Sequence, residues 1–227
     1  MHDPSTYAAA HPPKPAAPST PRPDEPKLTI KGRATRDRIV EAAAALVFER
    51  GVAGTSIDDV RKAAGVSGSQ MYHYFDDKQC LMRAVVRREA DAVLEAQEPH
   101  LSHLDSLDRL RAWADGAIRK QQQVDCVGGC SFGSIACELA DTDDEVARAD
   151  IVDGFARWEG KIRDGLRAMK DRGDLSPAAD PDQLALGLLA ALQGGLMLAE
   201  TTRTTAPLEA AMGAMLAHIA SLAPAST

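Results

Sequence analysis

The chain contains 227 residues, of which 44% are apolar, and acidic residues outnumber basic ones by 33 to 26, so the formal charge is −7. This composition is typical of a globular protein and excludes the disordered, collagen-like and fibrous classes. Four cysteines are too few for a disulfide scaffold, and no N-terminal segment resembles a secretory signal. We therefore predict a cytoplasmic protein.

The longest apolar run covers residues 184–199 and is interrupted by Gln193. Its length of 16 positions is below the ~20 residues that a helix needs to cross a bilayer. The sequence therefore predicts no membrane association.

Charge is distributed unevenly along the chain. Residues 31–88 contain eleven basic and seven acidic side chains, whereas residues 89–227 contain twelve and twenty-three. This division predicts that only the first part binds a polyanion such as DNA. Residues 1–30 are neutral and hold eight of the 13 prolines among alanines, so we predict a disordered tail there.

Residues 31–78 are predicted to form a small helical domain. A basic stretch leads into a helical repeat of apolar residues, which Gly51 ends. Thr55 or Ser56 can cap the next helix, and a tight connection at residues 65–67 precedes a short helix over residues 68–75. Two short helices joined by a glycine-containing turn form a helix-turn-helix.

The spacing of apolar residues predicts which side of the short helix is buried. Val66, Met71 and Phe75 face inward, which leaves polar and aromatic side chains outside. Hydroxyl groups suit phosphate oxygens, an amide suits adenine, and imidazole and aromatic edges suit thymine methyl groups or the backbone. The outward set is Ser69, Gln70, Tyr72, His73 and Tyr74. Alternatively, the two tyrosines are packing residues of a three-helix domain.

Residues 36–81 resemble the TetR (tetracycline-repressor-type) family of bacterial transcription regulators. The resemblance is carried by Gly-Val-Ser at 65–67, by Met71-Tyr72-His73-Tyr74-Phe75, and by Lys78 followed by Leu81. It implies DNA contacts and a dimeric, all-α protein that binds double-stranded DNA. Gly68 stands where many members carry a base-reading side chain. The implied contact residues are Ser56, Ser67, Ser69, Gln70, Tyr72, His73, Tyr74 and Lys78.

From residue 79 onward the pattern predicts a helical bundle without strands. The stretch 182–203 is apolar nearly all round, and residues 206–222 have one apolar face. In the family the last two helices pair with those of a second subunit, which predicts a homodimer on a near-palindromic operator. Alternatively, both helices close the core of one subunit. We assign residues 79–227 to ligand binding and dimerisation.

The family resemblance also implies a site for a small-molecule effector in this bundle. The chain has nine aromatic residues, so few large side chains are available to line a cavity. The candidates are Trp113, Phe132, Phe155, Trp158 and Met197. Each of them is alternatively an ordinary core residue, and the default ligand is apolar or amphipathic.

The cysteines and histidines of the bundle offer little further chemistry. Cys126, Cys130 and Cys137 do not follow a zinc-binding spacing, so we predict no metal and no cofactor. Cys130 stands near a predicted helix N-terminus, where a thiol can become reactive, or it is a buried inert thiol. His100 and His103 are assigned to a solvated loop.

Three functions remain to be separated. The first is a ligand-responsive regulator, most simply a repressor that a small molecule releases from DNA, and a cysteine-based redox or electrophile sensor is a variant of it. The second is an enzyme with Cys130 as nucleophile, which we reject because the sequence contains no catalytic motif. The third is a structural DNA-binding protein without an effector. We predict the regulator and no enzymatic activity.

Overall fold

The computed structural model of the chain describes residues 28–140 and 142–224. These ranges contain nine α-helices, a short 3₁₀ helix at Leu101–His103 and no strand, which confirms the predicted all-α fold. Most of the predicted tail lies outside the described residues. The helices are α1 (Ile30–Arg50), α2 (Ile57–Ala64), α3 (Gly68–Tyr74), α4 (Lys78–Glu95), α5 (Leu107–Gln123), α6 (Ser131–Leu139), α7 (Glu145–Asp171), α8 (Pro181–Thr202) and α9 (Ala206–Ser221).

The first of two compact units contains the described residues up to Ala92 together with Ile135–Ile151. The predicted domain boundary after residue 78 falls at the first residue of α4, whereas this unit continues to Ala92. The start of α1 is capped by Thr29, whose side chain accepts a hydrogen bond from the backbone N–H of Gly32. The last residues of the predicted tail are thus part of the helix start.

The core of the first unit forms where the apolar faces of its helices meet. Ile39, Ala43 and Val47 recur along α1 at four-residue steps, which places them on one face of the helix. Val66, Met71 and Phe75 are buried as predicted, and the Arg36 guanidinium lies over the Phe75 ring at 5.4 Å. The short helix α3 is therefore held by its apolar side, and its opposite side is left to solvent. The buried residues of α2 and α4 include Val60, Ala64, Leu81, Met82, Val85 and Val86.

Arginines of α4 bind carboxylates of the segment that leads into α7 and forms its first two turns. Arg83 Nε donates to both carboxylate oxygens of Asp144 at 2.9 Å, and Arg87 donates to Asp150 at 3.0 Å. The Asp144 and Asp150 side chains are buried. Removing one partner of such a pair leaves the other desolvated and uncompensated, so these contacts hold the segment against α4.

The Arg83–Asp144 pair predicts how stability depends on pH. Burial acts to raise the pKa of Asp144, but hydrogen bonds from Arg83 and the Ala147 N–H outweigh it and set the pKa below the usual 3.8. A group with a lowered pKa stabilises the fold above its unfolded pKa and loses this contribution as pH falls through the folded pKa. We expect the free energy of unfolding to fall below about pH 4, with a shallower fall in Asp144→Asn.

Chemical denaturation between pH 7 and pH 2 measures this dependence. We expect Asp144→Asn to lose about 2 kcal/mol at pH 7, because a hydrogen bond to a charged group is removed. The exposed neighbour Asp143 provides the control, and Asp143→Asn should retain the wild-type profile. An unchanged profile in Asp144→Asn would show that the ion pair contributes nothing.

The second unit contains Val93–Ser134 and the described residues from Val152 onward. Its core joins residues of α5, α7 and α8, among them Leu110, Trp158 and Leu188. Helices α8 and α9 lie against each other closely, since a Cβ added at Gly195 would come within 2.8 Å of the Leu208 Cα. This close approach of the two helices occurs within one chain.

Helix α8 has the length and composition of a membrane-spanning helix. It has 22 residues, and 44% of its most apolar window is buried inside the protein. The core helix of a soluble protein has the same properties, so this observation is weak evidence for a membrane segment. The apolar run at residues 184–199 lies within this longer helix of 22 residues. Packing of the helix against α9 accounts for part of its apolar character.

Candidate nucleic-acid interface

The start of α3 is fixed by a reciprocal pair of hydrogen bonds. The Ser67 Oγ accepts from the Gln70 N–H at 3.1 Å, and the Gln70 Oε1 accepts from the Ser67 N–H at 3.0 Å. This capping box satisfies two N–H groups that a helix start otherwise leaves unpaired. Gly65 precedes it in the left-handed conformation, with φ of 62°, which is why a glycine suits this turn. A seven-residue helix thereby gains a defined first turn.

The structure brings the predicted contact residues of α3 to one exposed surface. Tyr72 is 60% exposed, and Ser67, Ser69, Gln70 and His73 are also exposed. Their polar groups and the tyrosine ring are therefore available to a ligand as large as a duplex. This set of five residues, Ser67, Ser69, Gln70, Tyr72 and His73, is called the α3 surface below.

The capping box limits what Gln70 can do. Bidentate recognition of adenine uses both the oxygen and the nitrogen of a side-chain amide. The Gln70 oxygen accepts from the Ser67 N–H and its direction is fixed by the cap, whereas the Nε2 group takes no part in the cap. We therefore expect Gln70 to act as a hydrogen-bond donor, a restriction that the sequence alone did not indicate.

Tyr74 is half-buried and differs from Tyr72 in its surroundings. Its ring meets the His73 ring edge-on at 4.9 Å, and its hydroxyl lies near Gly32, 3.5 Å from where a Cβ would stand. Tyr72 is thus exposed, as a DNA contact requires, whereas Tyr74 packs beside the start of α1, as a packing residue would.

Ser56 and Lys78 already have hydrogen-bond partners in the protein. Ser56 caps α2 through the Asp59 N–H and lies 2.5 Å from the Asp59 carboxylate, which lowers the pKa of Asp59. Lys78 Nζ donates to the Val52 carbonyl at 2.6 Å. The two remaining N–H groups of the Lys78 ammonium can still face a phosphate.

The N-terminus of α4 carries a carboxylate of its own. The Cys80 N–H donates to Asp77 Oδ1 at 2.7 Å, and this backbone hydrogen bond lowers the pKa of Asp77. A phosphate that approaches these helix N–H groups therefore meets a negative charge. The Asp77 carboxylate therefore weakens any phosphate site that Lys78 and the start of α4 form together.

The turn after α1, where Lys78 binds the Val52 carbonyl, is also bound by a residue that the sequence did not single out. Glu138 Oε2, at the end of α6, accepts from the Val52 N–H at 2.7 Å. Gly51, with φ of 75°, leaves room for it, since a Cβ there would lie 2.8 Å from the same oxygen. Val52 thus connects Glu138 with Lys78, and no sequence pattern could have indicated a contact over 86 residues.

Lys78→Ala is expected to change both the salt dependence of DNA binding and the stability of the fold. If each Lys78 of a dimer neutralises one phosphate, the slope of log affinity against log salt should fall by about two units. The lost bond to Val52 should also reduce stability by about 1 kcal/mol. Salt-dependent binding assays and denaturation measure the two effects.

A matched control separates these roles of Lys78. Glu138→Gln keeps an oxygen that accepts from the Val52 N–H and leaves Lys78 in place. The salt slope of this variant should therefore change much less than that of Lys78→Ala. A salt slope unchanged in Lys78→Ala would remove Lys78 from the interface.

The candidate ligand residues occupy different environments in the second unit. Trp113, Phe132 and Trp158 are buried, and the Phe132 and Phe155 rings are 4.7 Å apart. Trp113 has its indole N–H bonded to Gln97 Oε1 at 2.9 Å, which makes it a satisfied core residue. Met197 is 61% exposed on α8 and is not part of the buried core.

The cysteines and histidines are dispersed. Cys130 is half-buried and its Sγ accepts from the Gly133 N–H at 3.3 Å, while Cys126 is buried and Cys137 is exposed. Both histidines of the 3₁₀ region are exposed, and His103 Nδ1 lies 2.9 Å from the Pro99 carbonyl. In residues 28–140 and 142–224, no group of three or more His, Cys, Asp or Glu side chains has the arrangement of a metal site.

Two ranges of the sequence match families of known transcription regulators. Residues 39–85 match the family described as "Bacterial regulatory proteins, tetR family", and residues 106–215 match "Tetracyclin repressor-like, C-terminal domain". An uncharacterized HTH-type transcriptional regulator of Mycobacterium tuberculosis is 30% identical over 185 residues, covering 77% of this chain and 88% of the relative. The HTH-type transcriptional repressor DhaR of Mycobacterium sp. is 25% identical over 181 residues, covering 77% and 86%.

Solved structures give the same result. The crystal structure of a TetR transcriptional regulator from Chloroflexus aurantiacus is similar with a TM-score of 0.72 and 30% sequence identity, covering 86% of this chain and 98% of that one. The helix-turn-helix and the helical remainder define a DNA-binding transcription regulator. The chain belongs to the TetR family.

Proposed function

We propose that this regulator is a repressor that binds a near-palindromic operator as a homodimer in the cytoplasm and is released by a small molecule. The observation that carries the proposal is the α3 surface, which presents exposed polar and aromatic groups on a helix fixed by a capping box. The relative DhaR is described as a transcriptional repressor, which supports repression over activation for this chain.

The proposed DNA contacts divide by chemistry. Tyr72 and the Gln70 Nε2 group are placed to reach base edges or thymine methyl groups, because both project from the exposed side of α3. Ser56, Ser67, Ser69, His73, Tyr74 and Lys78 are assigned to phosphates and sugars, where hydroxyl, imidazole, phenol and ammonium groups are suitable. These phosphate contacts would fix the register of α3, and the base contacts would select the sequence.

Exposed apolar residues on α8 support a homodimer. Leu186 and Met197 are 53% and 61% exposed, and their spacing of eleven residues places both on one face of the helix. Ala190 is exposed on the same face, and the exposed side of α9 carries small residues, including Gly213 and Ala217. A second copy with the same two helices would cover these faces by two-fold symmetry, since an isologous interface is self-complementary.

The location of α6 suggests how a ligand could affect DNA binding. One end of α6 carries Phe132 beside Phe155, and the other end carries Glu138, which is bonded to Val52. Since α6 is one short helix, displacement of its first turn would be transmitted to Glu138 and to the turn that Lys78 also binds. If a ligand weakens DNA binding in this way, DNA must weaken ligand binding by the same factor.

Selection of DNA fragments by the full-length protein, followed by footprinting, tests this function. We expect one short symmetric protected site, with a stoichiometry of two chains per site, and expression from a promoter that contains it should rise when the gene is deleted. Uniform protection of any DNA would instead indicate a structural DNA-binding protein, and a fall in expression would indicate an activator.

A further inference from the structure

Three uncharged buried atoms have no hydrogen-bond partner among the described residues. They are Nε1 of Trp158, Nε2 of Gln193 and Oε1 of Gln121. Trp158 is 1% exposed and Gln121 is 4% exposed. Buried polar groups are rarely left unpaired in native proteins, because an unpaired group loses its hydration without compensation. Three such atoms therefore need an explanation.

Each of the three residues is linked to the start of α6 or to the residues just before it. The Phe132 and Phe155 rings are 4.7 Å apart and tilted by 48°, and Trp158 lies three residues beyond Phe155 along α7, on the same side of that helix. The next residue, Gly133, meets Gln193 so closely that a Cβ would lie 2.7 Å from its Oε1. On the other side, Gln121 Nε2 donates to the Gly129 carbonyl at 3.3 Å.

The turn before α6 is also strained. Asp125 and Cys126 have φ values of 49° and 53°, in the left-handed region that residues with a Cβ rarely adopt. Arg203 holds this turn by donating to the Cys126 carbonyl at 3.1 Å. Strain of this kind persists where surrounding contacts impose it, and it is concentrated at ligand-binding and switch sites.

We propose that the first turn of α6 covers a site for a small uncharged molecule with a carbonyl-type oxygen. The oxygen accepts hydrogen bonds from Trp158 Nε1 and Gln193 Nε2, and the apolar body of the ligand lies against Phe132 and Phe155. A ligand hydroxyl or N–H group would satisfy Gln121 Oε1. An ionised ligand is disfavoured because the three groups are uncharged and an unpaired buried charge is costly.

This inference rests on the proposed ligand response and adds the chemical class of the effector. Equilibrium dialysis of the full chain against two pairs of probes tests it: acetophenone with α-methylstyrene, and cyclohexanone with methylenecyclohexane. In each pair the first compound carries a C=O group and the second carries a C=CH₂ group in the same position, so the pair differs in the acceptor oxygen and little else. We expect the ketone to bind at least ten times more tightly in at least one pair, and Trp158→Phe or Gln193→Met to reduce that ratio below about three.

Gln97→Met is the matched control, because both ends of the Gln97 amide have partners, Trp113 and the Val93 carbonyl. It should retain the preference for the ketone. Equal binding within both pairs, no binding of any probe, or a preference that survives in Trp158→Phe and Gln193→Met would overturn the inference.

Thermal unfolding without a ligand gives a second test. Gln193→Met removes an amide nitrogen that has no partner to lose, so its midpoint should equal or exceed that of the wild type, whereas the midpoint of Gln97→Met should fall. An equal fall in both variants would show that Gln193 has a structural partner, which overturns the inference.

The dialysis result and operator release separate this inference from the proposed function. Release by a compound without an acceptor oxygen, with equal binding within both probe pairs, would retain the ligand response and reject the donor pair. A clear preference for the ketones without any effect of ketones or other compounds on operator occupancy would retain the site and reject the ligand response.

Discussion

Replacing Tyr72 with alanine is expected to reduce the affinity for the operator by about a thousandfold while leaving the fold intact. The ring is 60% exposed, so its removal costs little core packing. A good base contact contributes ~1–3 kcal/mol, and a symmetric dimer loses it twice. Electrophoretic mobility shifts with the selected operator measure the affinity, and circular dichroism checks the helical content.

Two further variants make the Tyr72 result specific. Tyr72→Phe keeps the ring and removes only the hydroxyl, so an intermediate loss is expected if both parts contact DNA. Val152→Ala removes an apolar side chain that is 62% exposed on α7, and it should bind normally. Normal binding by Tyr72→Ala would place the interface elsewhere on the protein.

The double variant Leu186→Glu/Met197→Glu is expected to convert the dimer into monomers. Covering each side chain contributes on the order of 1.5 kcal/mol, and two-fold symmetry buries four of them. We therefore expect dimerisation to weaken by about 10⁴-fold, and operator binding to fall with it because a single α3 contacts one half-site. Analytical ultracentrifugation at micromolar concentration measures the mass.

The control for the dimer experiment is Val152→Glu, which adds the same charge at an exposed apolar residue outside α8 and α9. It should remain dimeric and bind the operator. A double variant that still sediments as a dimer would show that the last two helices close the core of one subunit, the alternative interpretation of their apolar sequence.

Local sequence patterns predicted the helix-turn-helix well because its determinants are close in sequence. Ser67 caps α3 through the N–H of Gln70, only three residues away, and Met71 and Phe75 lie one turn apart, so the determinants of cap and core are local. The burial of both apolar residues left Tyr72 on the exposed part of the helix surface. The exposure of Tyr72 follows from the same helical period that placed Met71 inside.

Contacts between distant residues could not be predicted in this way. Lys78 stands where the resemblance places a phosphate contact, but its bond to the Val52 carbonyl spans 26 residues. Glu138 and Asp144 looked like ordinary acidic residues until the fold set them beside Val52 and Arg83. Such pairings depend on how helices pack, which neither helical period nor capping residues specify.

The candidate ligand residues show the same limit. Side-chain size and apolar character alone grouped Met197 and Trp113 with Phe132, but Met197 is exposed on α8 and Trp113 is a satisfied core residue. Gln193 interrupts an apolar run and Gln121 belongs to a run of three glutamines, and neither forms a recognisable motif. Their unpaired atoms become visible only when the surrounding hydrogen bonds are known.

Site-specific photocrosslinking from residue 72 determines whether α3 lies against the operator DNA. With p-benzoylphenylalanine in place of Tyr72, the full-length protein bound to its selected operator should crosslink at two positions related by the symmetry of the site. The same probe at Val152 should give no crosslink. Crosslinks from Val152 alone, or none from residue 72 in a complex shown to be saturated, would contradict the assignment of α3 as the DNA-reading helix.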